Sequence, residues 1–449
     1  MLQQLMALVA DPGPGVAQAA ADAICALCVK TSAPAVDLPV TMTAIVTCLG
    51  GATAGLSERE ASTLRLRFAD LVARLTATSE DAFQAARSTG ALSLLTQLAG
   101  PSNGDVLLRL NSLELLEQVA ATGAGARHLL AEGHVEALLH LAVGTGGGGE
   151  GQRDGPEPDP LLGASALRVL AAVHLRAAEM GVEAWADVDP GLARSFLRAC
   201  LLHSESAADA SKLAALDAAS ALASSSAGAL RALLEDPEPA GAAARAWGDL
   251  SVLQGWLTLS RHKVEIKAVA LHAVARVLGA APPAAPGTPV SPPDPAPTGA
   301  GAGSPSARGA PGCANAAEDR STLCRQLFER LGQCNGGRVT GALLMELVQQ
   351  PVHEVRYGAY DVMRCCAWQR GGWGLRALFG QPAFRDFLED RTTETDKAGK
   401  EWKFSVVEGL MRCPQREVLG VEVLESLQKI LVQGPFWAPA VPRELGTMS

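Results

Sequence analysis

The chain has 449 residues, of which 48% are hydrophobic and 4% aromatic, and its formal net charge is −9. This length is long for one compact core but suits an array of repeats. The acidic balance argues against a general phosphate-backbone binder, and the scarcity of aromatic residues argues against a stacking platform for single strands. We therefore expect no nucleic-acid partner.

No apolar run approaches the roughly 20 residues that a bilayer-spanning helix requires, and no basic leader precedes a cleavage site. The ten cysteines fall on helix-like stretches. We expect free and mostly buried thiols in a reduced protein of the cytoplasm, with the nucleus as a second compartment. We also expect no membrane partner and a monomer when the chain is on its own.

Helical periodicity covers nearly the whole chain, and strand patterns are nearly absent. Residues 1–50 predict a first unit with helices over 16–29 and 39–49. Residues 57–100 predict a second unit, in which Ser57 with acidic residues behind it is a good helix start.

The stretch 105–143 predicts three helices, and its middle helix is apolar on two stripes. We expect that helix to stop near Gly123 and Gly125, where glycine can adopt the left-handed conformation, and a further break at Gly133. Gly133 aligns with Gly90 of the preceding unit, which gives a period of about 43 residues, inside the armadillo and HEAT range. One such unit needs a neighbour on each side to bury both stripes, so the sequence predicts an all-α HEAT/armadillo-type helical repeat solenoid.

The domain organisation follows from two low-complexity stretches. Residues 144–160 predict a flexible loop inside an N-terminal array, 1–279, whose last helices are expected over 161–178, 192–202, parts of 212–259, and 264–278. Residues 280–317, rich in Pro, Gly, Ala and Ser, predict a disordered insertion. Helical repeats and a capping tail are expected over 318–449, with helices at 339–348, 357–368, 375–379, 383–390, 402–412 and 421–432.

Several patterns that could carry chemistry fail on inspection. The glycine run 144–151 follows a helix and lacks the Lys-Ser/Thr ending of a phosphate loop. Two pairs have metal-ligand spacing but no partner pair, and we expect both to be core residues: Cys25 with Cys28, and Cys200 with His203. His353 begins a zinc-protease-like pattern, but the second ligand position is Tyr357. The sequence predicts no catalytic residue, no metal and no cofactor, and hence no enzyme.

Two C-terminal features could face a partner. The stretch 390–403, DRTTETDKAGKEWK, mixes charges of both signs. One interpretation is a solvated loop with Thr395 or Asp396 capping the next helix; the other is a polar docking surface that sets specificity and association rate. Phe436 and Trp437 could cap the last repeat or anchor a partner.

The C-terminal residues resemble one family, the 26S proteasome non-ATPase regulatory subunit 5 family. The resemblance is carried by residues 354–373 (EVRYGAYDVMRCCAWQRGGW), by 384–403 with its Asp-Arg pair and Asp-Lys-Ala, and by the Gly-Pro-Phe-Trp tail at 434–437. It extends more weakly to 127–133 and to 264–283. Relative to that family the chain looks short at its N-terminus, and the insertion at 280–317 departs from the family pattern.

The resemblance implies a non-catalytic chaperone that assembles the base of the proteasome regulatory particle. Such a protein binds the C-terminal domain of one base ATPase subunit and holds associated base subunits until the ring forms. The residues expected to contact the partner are Arg356, Tyr357, Asp390, Arg391, Glu394, Asp396, Lys397, Lys400, Trp402, Lys403, Phe436 and Trp437.

The alternative is another armadillo or HEAT adaptor or scaffold with an unknown partner. A nuclear-import receptor would line its groove with Trp and Asn one helical turn apart. None of the seven tryptophans here has Asn four residues later, since Trp185 is followed by Asp189 and Trp402 by Val406.

Overall fold

A computed structural model describes residues 2–30, 37–51, 56–131, 133–143, 159–180, 190–204, 206, 208–235, 252–279 and 311–436. Throughout these ranges the regular elements are helices, without a strand, which confirms the predicted all-α class. The chain divides into two compact units, Met1–Val252 and Leu253–Ser449. In each unit helices stack side by side along the chain, as in a helical-repeat solenoid.

The first unit contains thirteen helices in its described residues: α1 (Leu2–Val9), α2 (Pro14–Lys30), α3 (Leu38–Gly51), α4 (Glu58–Thr76), α5 (Glu80–Ser88), α6 (Ala91–Ala99), α7 (Val106–Ala120), α8 (Gly123–Ala131), α9 (His134–Val143), α10 (Pro160–Glu179), α11 (Pro190–Ser204), α12 (Asp209–Ser225) and α13 (Ala227–Leu234). The predicted helices over 16–29, 39–49 and 161–178 lie within α2, α3 and α10. Helices α4, α7, α10 and α12 pack against one another in that order.

The second unit contains nine described α-helices: α14 (Val252–Leu257), α15 (Val264–Leu278), α16 (Pro311–Cys334), α17 (Thr340–Leu347), α18 (His353–Ala367), α19 (Trp373–Phe379), α20 (Phe384–Glu389), α21 (Lys397–Arg412) and α22 (Val421–Gln433). Its most extensive helix–helix interfaces are those of α15 with α18 and of α18 with α21. This row of three helices carries the core residues Leu271, Tyr360, Met363, Val407 and Leu410, all buried.

Helix boundaries in the first unit follow local chemistry. Ser57 accepts a hydrogen bond from the amide of Glu60, whose carboxylate in turn accepts from the Ser57 amide, which is a complete capping box. Gly90 and Gly133 have φ of 80° and 71°, so each breaks the chain between two helices in the left-handed conformation, as predicted. The predicted equivalence of these two glycines between repeats therefore holds.

The predicted helix end near Gly123 and Gly125 is confirmed, but the left-handed conformation expected of these glycines was wrong. Neither glycine has a positive φ; α7 ends at Ala120, and Gly123 and Gly125 lie in the first turn of α8. Glycine is needed at position 125 for a steric and not a conformational reason, because a Cβ there would lie 2.0 Å from the carbonyl oxygen of Val119. Thr122 Oγ1 accepts the Gly125 amide at 3.0 Å and so starts the new helix.

The three predicted domain ranges stay predictions. The loop at 144–158 and residues 280–310 of the expected insertion lie outside the described residues. Helix α16 starts at Pro311, so helical backbone begins within the predicted insertion and earlier than residue 318. Among the described helices none is both long and apolar enough to cross a membrane.

The contact between α15 and α18 depends on one small residue. A Cβ on Gly358 would lie 2.8 Å from Leu271 Cβ and 3.2 Å from the carbonyl oxygen of Ala268. Real Cβ atoms do not approach so closely, so any larger residue must push the two helices apart. Gly358 thus sets the spacing of the row of helices on which the candidate site is built.

We expect Gly358→Ala to lower the free energy of unfolding of the second unit by about 1 kcal/mol. The overpacking cost of about 1–3 kcal/mol is offset by the roughly 1 kcal/mol that alanine gains over glycine in a helix. Denaturant unfolding followed by circular dichroism measures the difference. Gly15→Ala is the matched control, because that helical glycine has open space around its Cβ position and should be neutral or stabilising. Equal effects of both substitutions would contradict the close-packing argument.

Candidate partner-binding site

Most predicted docking residues lie on α18, on α21 and in the loop between α20 and α21. The loop 390–396 crosses over α18 before α21 begins at Lys397. Its alternating charges led to two interpretations, a solvated loop or a docking surface. The structure shows that several of these charges instead face inward and hold the loop on α18.

Glu394 is the centre of this attachment. It is only 2% exposed. Its carboxylate lies 2.9 Å from Arg356 Nη2 and accepts a hydrogen bond from the Tyr360 hydroxyl. The space on its other side is closed by α21, since a Cβ on Gly399 would lie 2.2 Å from Glu394 Oε2. Burial together with the Glu394 carboxylate raises the pKa of Tyr360, so its hydroxyl stays a donor.

Asp396 joins the loop to α21. Its side chain accepts the Gly399 amide at 2.7 Å and the Tyr357 hydroxyl at 2.8 Å, and it lies 3.0 Å from His353 Nδ1. The cap on Gly399, the bond from Tyr357 and the charge of His353 together hold the pKa of Asp396 below its usual value. Asp396 is the N-cap, one of the two predicted, and α21 therefore begins at Lys397 rather than near Trp402.

Lys403 was predicted to face a partner, but it is buried, with 6% of its surface exposed. Its ammonium donates to the Asp390 carbonyl at 2.5 Å and to Thr393 Oγ1 at 2.6 Å, and it lies 4.2 Å from the centre of the Phe387 ring. Burial lowers the pKa of Lys403 to about 8. Lys403 and Glu394 thus hold the loop in place, with their charged groups turned inward.

The remaining charged candidates divide between structural and exposed positions. Arg391 donates to the Gly434 carbonyl at 2.9 Å and so ties the loop to the end of α22, while the Asp390 carboxylate accepts from Thr392. Lys397 is 78% exposed, and its ammonium lies 6.0 Å from the centre of the Phe436 ring.

The other candidates on this side keep some accessible surface or cannot be placed. Lys400 is half-buried. The Phe436 side chain is 54% exposed. Trp437 lies outside the described residues, so its two interpretations stay open.

Four rings form a continuous surface row across α15, α18 and α21, which we name the aromatic row: His272, Trp402, Tyr357 and His353. The Trp402 and Tyr357 rings are stacked, with centroids 6.1 Å apart and planes inclined by 16°. His272 lies 5.7 Å from Trp402, and His353 lies 6.2 Å from Tyr357. All four side chains keep some accessible surface.

Each end of the aromatic row is held by a carboxylate. His353 pairs with Asp396, and at the opposite end His272 Nδ1 lies 2.8 Å from Asp361 Oδ2. Asp361 also meets Arg364 Nη2 at 2.5 Å. Burial alone would raise the pKa of Asp361, but the bonds from His272 and Arg364 outweigh it, so that pKa lies below its usual value. The row is thus a rigid amphipathic strip between two anionic anchors.

The predicted core interpretation fits the Cys200 and His203 pair. Cys200 is buried, and burial raises the pKa of its thiol, while His203 Nε2 lies 2.9 Å from the Ala142 carbonyl oxygen. No group of three or more potential metal-ligating side chains occurs among the residues the structure describes. The described cysteines form no disulfide.

Sequence reasoning missed His272 and Asp361 as site residues. His272 lies 130 positions before Trp402, on the other side of the predicted insertion. The only available signal was that both residues lie on helices of the same predicted array. Which turn of α15 faces which turn of α21 is decided by helix packing and cannot be read from spacing.

We expect Lys403→Met to remove a pH dependence of stability. The folded pKa of Lys403, about 8, is below the unfolded value of about 10.4. Between these values the unfolded chain binds more protons, so stability from this residue rises with pH. Wild-type protein should therefore gain unfolding free energy relative to Lys403→Met as pH increases from about 8 to 10. Parallel urea titrations at several pH values measure it.

Lys400→Met is the control for this comparison, because Lys400 lies three residues earlier on the same helix and is partly accessible. It should leave the pH dependence unchanged. If the unfolding free energies of wild type and Lys403→Met changed with pH in the same way, Lys403 would be solvated in solution, which would contradict the structure.

The solved structures that resemble this chain include engineered and designed proteins. An engineered protein superposes with a TM-score of 0.43 at 13% identity, covering 97% of this chain and 98% of that one. A designed armadillo repeat protein superposes with a TM-score of 0.40 at 14% identity, covering 76% of this chain and all of that one. Both TM-scores are low, so the fold assignment depends on the packing of this chain's own helices.

Sequence comparison identifies the C-terminal part more specifically. Residues 314–444 match the family model described as proteasome non-ATPase 26S subunit. The human 26S proteasome non-ATPase regulatory subunit 5 is 29% identical over 100 residues, which are 22% of this chain and 19% of that protein. The mouse protein of the same name is 33% identical over 70 residues, 15% of this chain and 14% of its own length.

The aligned regions thus span about a fifth or less of the curated relatives. The predicted resemblance is confirmed for the part of the chain that contains α18 and α21. Residues 314–444, and with them the loop on α18 and most of the aromatic row, match the proteasome non-ATPase 26S subunit family.

Proposed function

We propose that the chain is a non-catalytic chaperone for assembly of the base of the 26S proteasome regulatory particle. In this proposal it binds the C-terminal domain of one base ATPase subunit, and the aromatic row is part of the binding surface. The observation that carries the proposal is the position of Tyr357, His353 and Trp402 inside the segment that matches the proteasome family.

The composition of the aromatic row supports a protein partner. Tryptophan and tyrosine contribute much of the binding energy in protein interfaces, because they bury large rigid surfaces at little entropic cost. Trp402 and Tyr357 are already stacked, so little side-chain ordering remains to be done on binding. Rows of successive helices in solenoids provide extended surfaces for folded partners.

The charges beside the aromatic row would set orientation and association rate. Asp396 and Asp361 lie at its two ends, and the exposed Lys397 lies one residue beyond Asp396. Exposed charges of mixed sign at a rim affect specificity and encounter more than affinity. The buried ion pair of Arg356 with Glu394 contributes by holding the surface in one shape.

The buried ionisable side chains have structural roles, which is consistent with a binding protein. Glu394 and Lys403 are committed to holding the loop on α18, and the buried Cys200 thiol is packed in the core. Each therefore has a structural role in this fold. The proposal of a scaffold without catalytic activity follows from these roles together with the family match.

We expect the double variant Trp402→Ala/Tyr357→Ala to lose binding to the ATPase domain. Truncating paired aromatic anchors costs about 2 kcal/mol or more, which is roughly a 30-fold rise in Kd. The measurement is co-purification of the full chain with each base ATPase C-terminal domain in turn, followed by titration of the domain that is retained.

Leu107→Ala is the control, because that leucine is 71% exposed on α7 of the first unit. It should bind like wild type. Retention of no ATPase domain by the intact chain would refute the proposal and leave the alternative of an armadillo or HEAT scaffold with another partner. An unchanged Kd for the double variant would keep the partner but remove the aromatic row from the interface.

Charge reversal at Lys397 and Lys400 tests the rim separately. Both residues lie in the first turn of α21, where glutamate is favoured by the helix dipole, so the fold should tolerate the change. We expect Lys397→Glu/Lys400→Glu to slow association several-fold at low salt and to alter its salt dependence. Stopped-flow association rates measure both effects. Lys429→Glu, at an exposed position on α22, is the control and should associate at the wild-type rate. Equal rates for wild type and the double variant would mean that Lys397 and Lys400 belong to a solvated surface and not to the rim of the interface.

A further inference from the structure

A cleft of about 510 Å³ lies between α16, α17 and α19, three helices that contribute no residue to the aromatic row. Its volume is in the range of pockets that hold small ligands or a few side chains. The cleft lies wholly within the second unit. It is therefore a separate surface from the one proposed to bind the ATPase domain.

Three arginines from three different elements line this cleft, against one glutamate: Arg325 on α16, Arg338 in the turn before α17, and Arg376 on α19. This is a local excess of positive charge on a chain whose net charge is −9. Planar guanidinium groups match carboxylates in a bidentate geometry. The cleft is therefore complementary to a carboxylate.

The apolar part of the lining gives the ligand a second feature. Trp373 keeps part of its ring accessible and packs on the buried Phe328, with ring centroids 5.5 Å apart. The Val339 side chain beside them is 66% exposed. An isolated anion would leave this apolar surface in water. A ligand with an apolar side chain next to its carboxylate would cover it and gain hydrophobic free energy.

The present contacts of the arginines can be exchanged at low cost. Arg325 pairs with Glu329 at 2.8 Å, and both side chains are about half exposed, at 60% and 49%. Arg376 donates to the Gly371 carbonyl at 2.7 Å, and Arg338 pairs with Glu346. Exposed ion pairs are worth about 0–1 kcal/mol, and each guanidinium has five N–H donors. A carboxylate from outside can thus join or replace these partners.

We infer that this cleft binds a peptide segment in which a carboxylate lies next to an apolar side chain. The carboxylate would meet Arg338 and Arg376, and the apolar side chain would cover Trp373 and Val339. The carboxylate could be an acidic side chain or a chain terminus. A polyphosphate backbone is disfavoured, because Glu329 lines the same cleft.

Calorimetric titration of the full chain with three acetylated probes tests this inference and separates the two sources. The first probe is Gly-Ser-Leu-Phe with a free C-terminal carboxylate, the second is the same peptide amidated, and the third is amidated Gly-Ser-Asp-Leu-Phe. We expect at least one acid-bearing probe to bind with Kd on the order of 0.1–1 mM, and the neutral amide about tenfold more weakly. Preference for the first probe assigns a chain terminus, and preference for the third assigns an acidic side chain.

The variant Arg338→Gln/Arg376→Gln should raise the Kd of the preferred probe about tenfold or more. Both arginines are exposed, so the variant should keep its circular dichroism and unfolding curve. Arg385→Gln is the matched control, because Arg385 forms a comparable exposed pair with Glu389 at 2.9 Å outside the cleft. The inference would be overturned if the neutral amide bound as tightly as both acid-bearing probes, or if the double variant left the Kd unchanged. Tighter binding of a single-stranded oligonucleotide than of any peptide would also overturn it.

Discussion

The buried Glu394 carboxylate is the constraint on which the candidate site depends. It is held between Arg356 and Tyr360 of α18 and closed off by Gly399 of α21. A buried carboxylate without its cation would cost several kcal/mol, so the loop can lie on α18 only where Arg356 receives it. Because Glu394 is held at this position, Asp396 lies two residues further on, where it caps the first turn of α21.

The start of α21 in turn decides where its side chains meet α18 and α15. With Asp396 as the N-cap, Trp402 falls one and a half turns into the helix and lands on Tyr357. The same register carries Lys403 inward, to the carbonyl of Asp390, and so closes the loop from its other end. Two buried charges of opposite sign, each with its own hydrogen-bond partners, therefore hold the loop in a single conformation.

Binding surface and core are coupled through α18. One face of this helix packs on α15 through Gly358, and the neighbouring position carries Tyr357 to the surface. A change that separates α15 from α18 would also separate His272 from Trp402, because His272 lies on α15 and Trp402 lies on α21, which packs on α18. The arginine-lined cleft is built by α16, α17 and α19, whereas the aromatic row lies on α15, α18 and α21. The second unit therefore presents two surfaces of different chemistry.

The class of fold, most helix positions and the family of the C-terminal part can all be read from the amino-acid sequence. Helical periodicity is a local property, and caps such as Ser57 and Asp396 or left-handed glycines such as Gly90 act within a few residues. The sequence did not determine which charges of 390–403 are buried, because solvated and inward-facing charges have the same local pattern. That Glu394 faces α18 and that His272 contacts Trp402 is visible only in the folded chain, since burial and long-range pairing depend on how helices distant in the chain pack together.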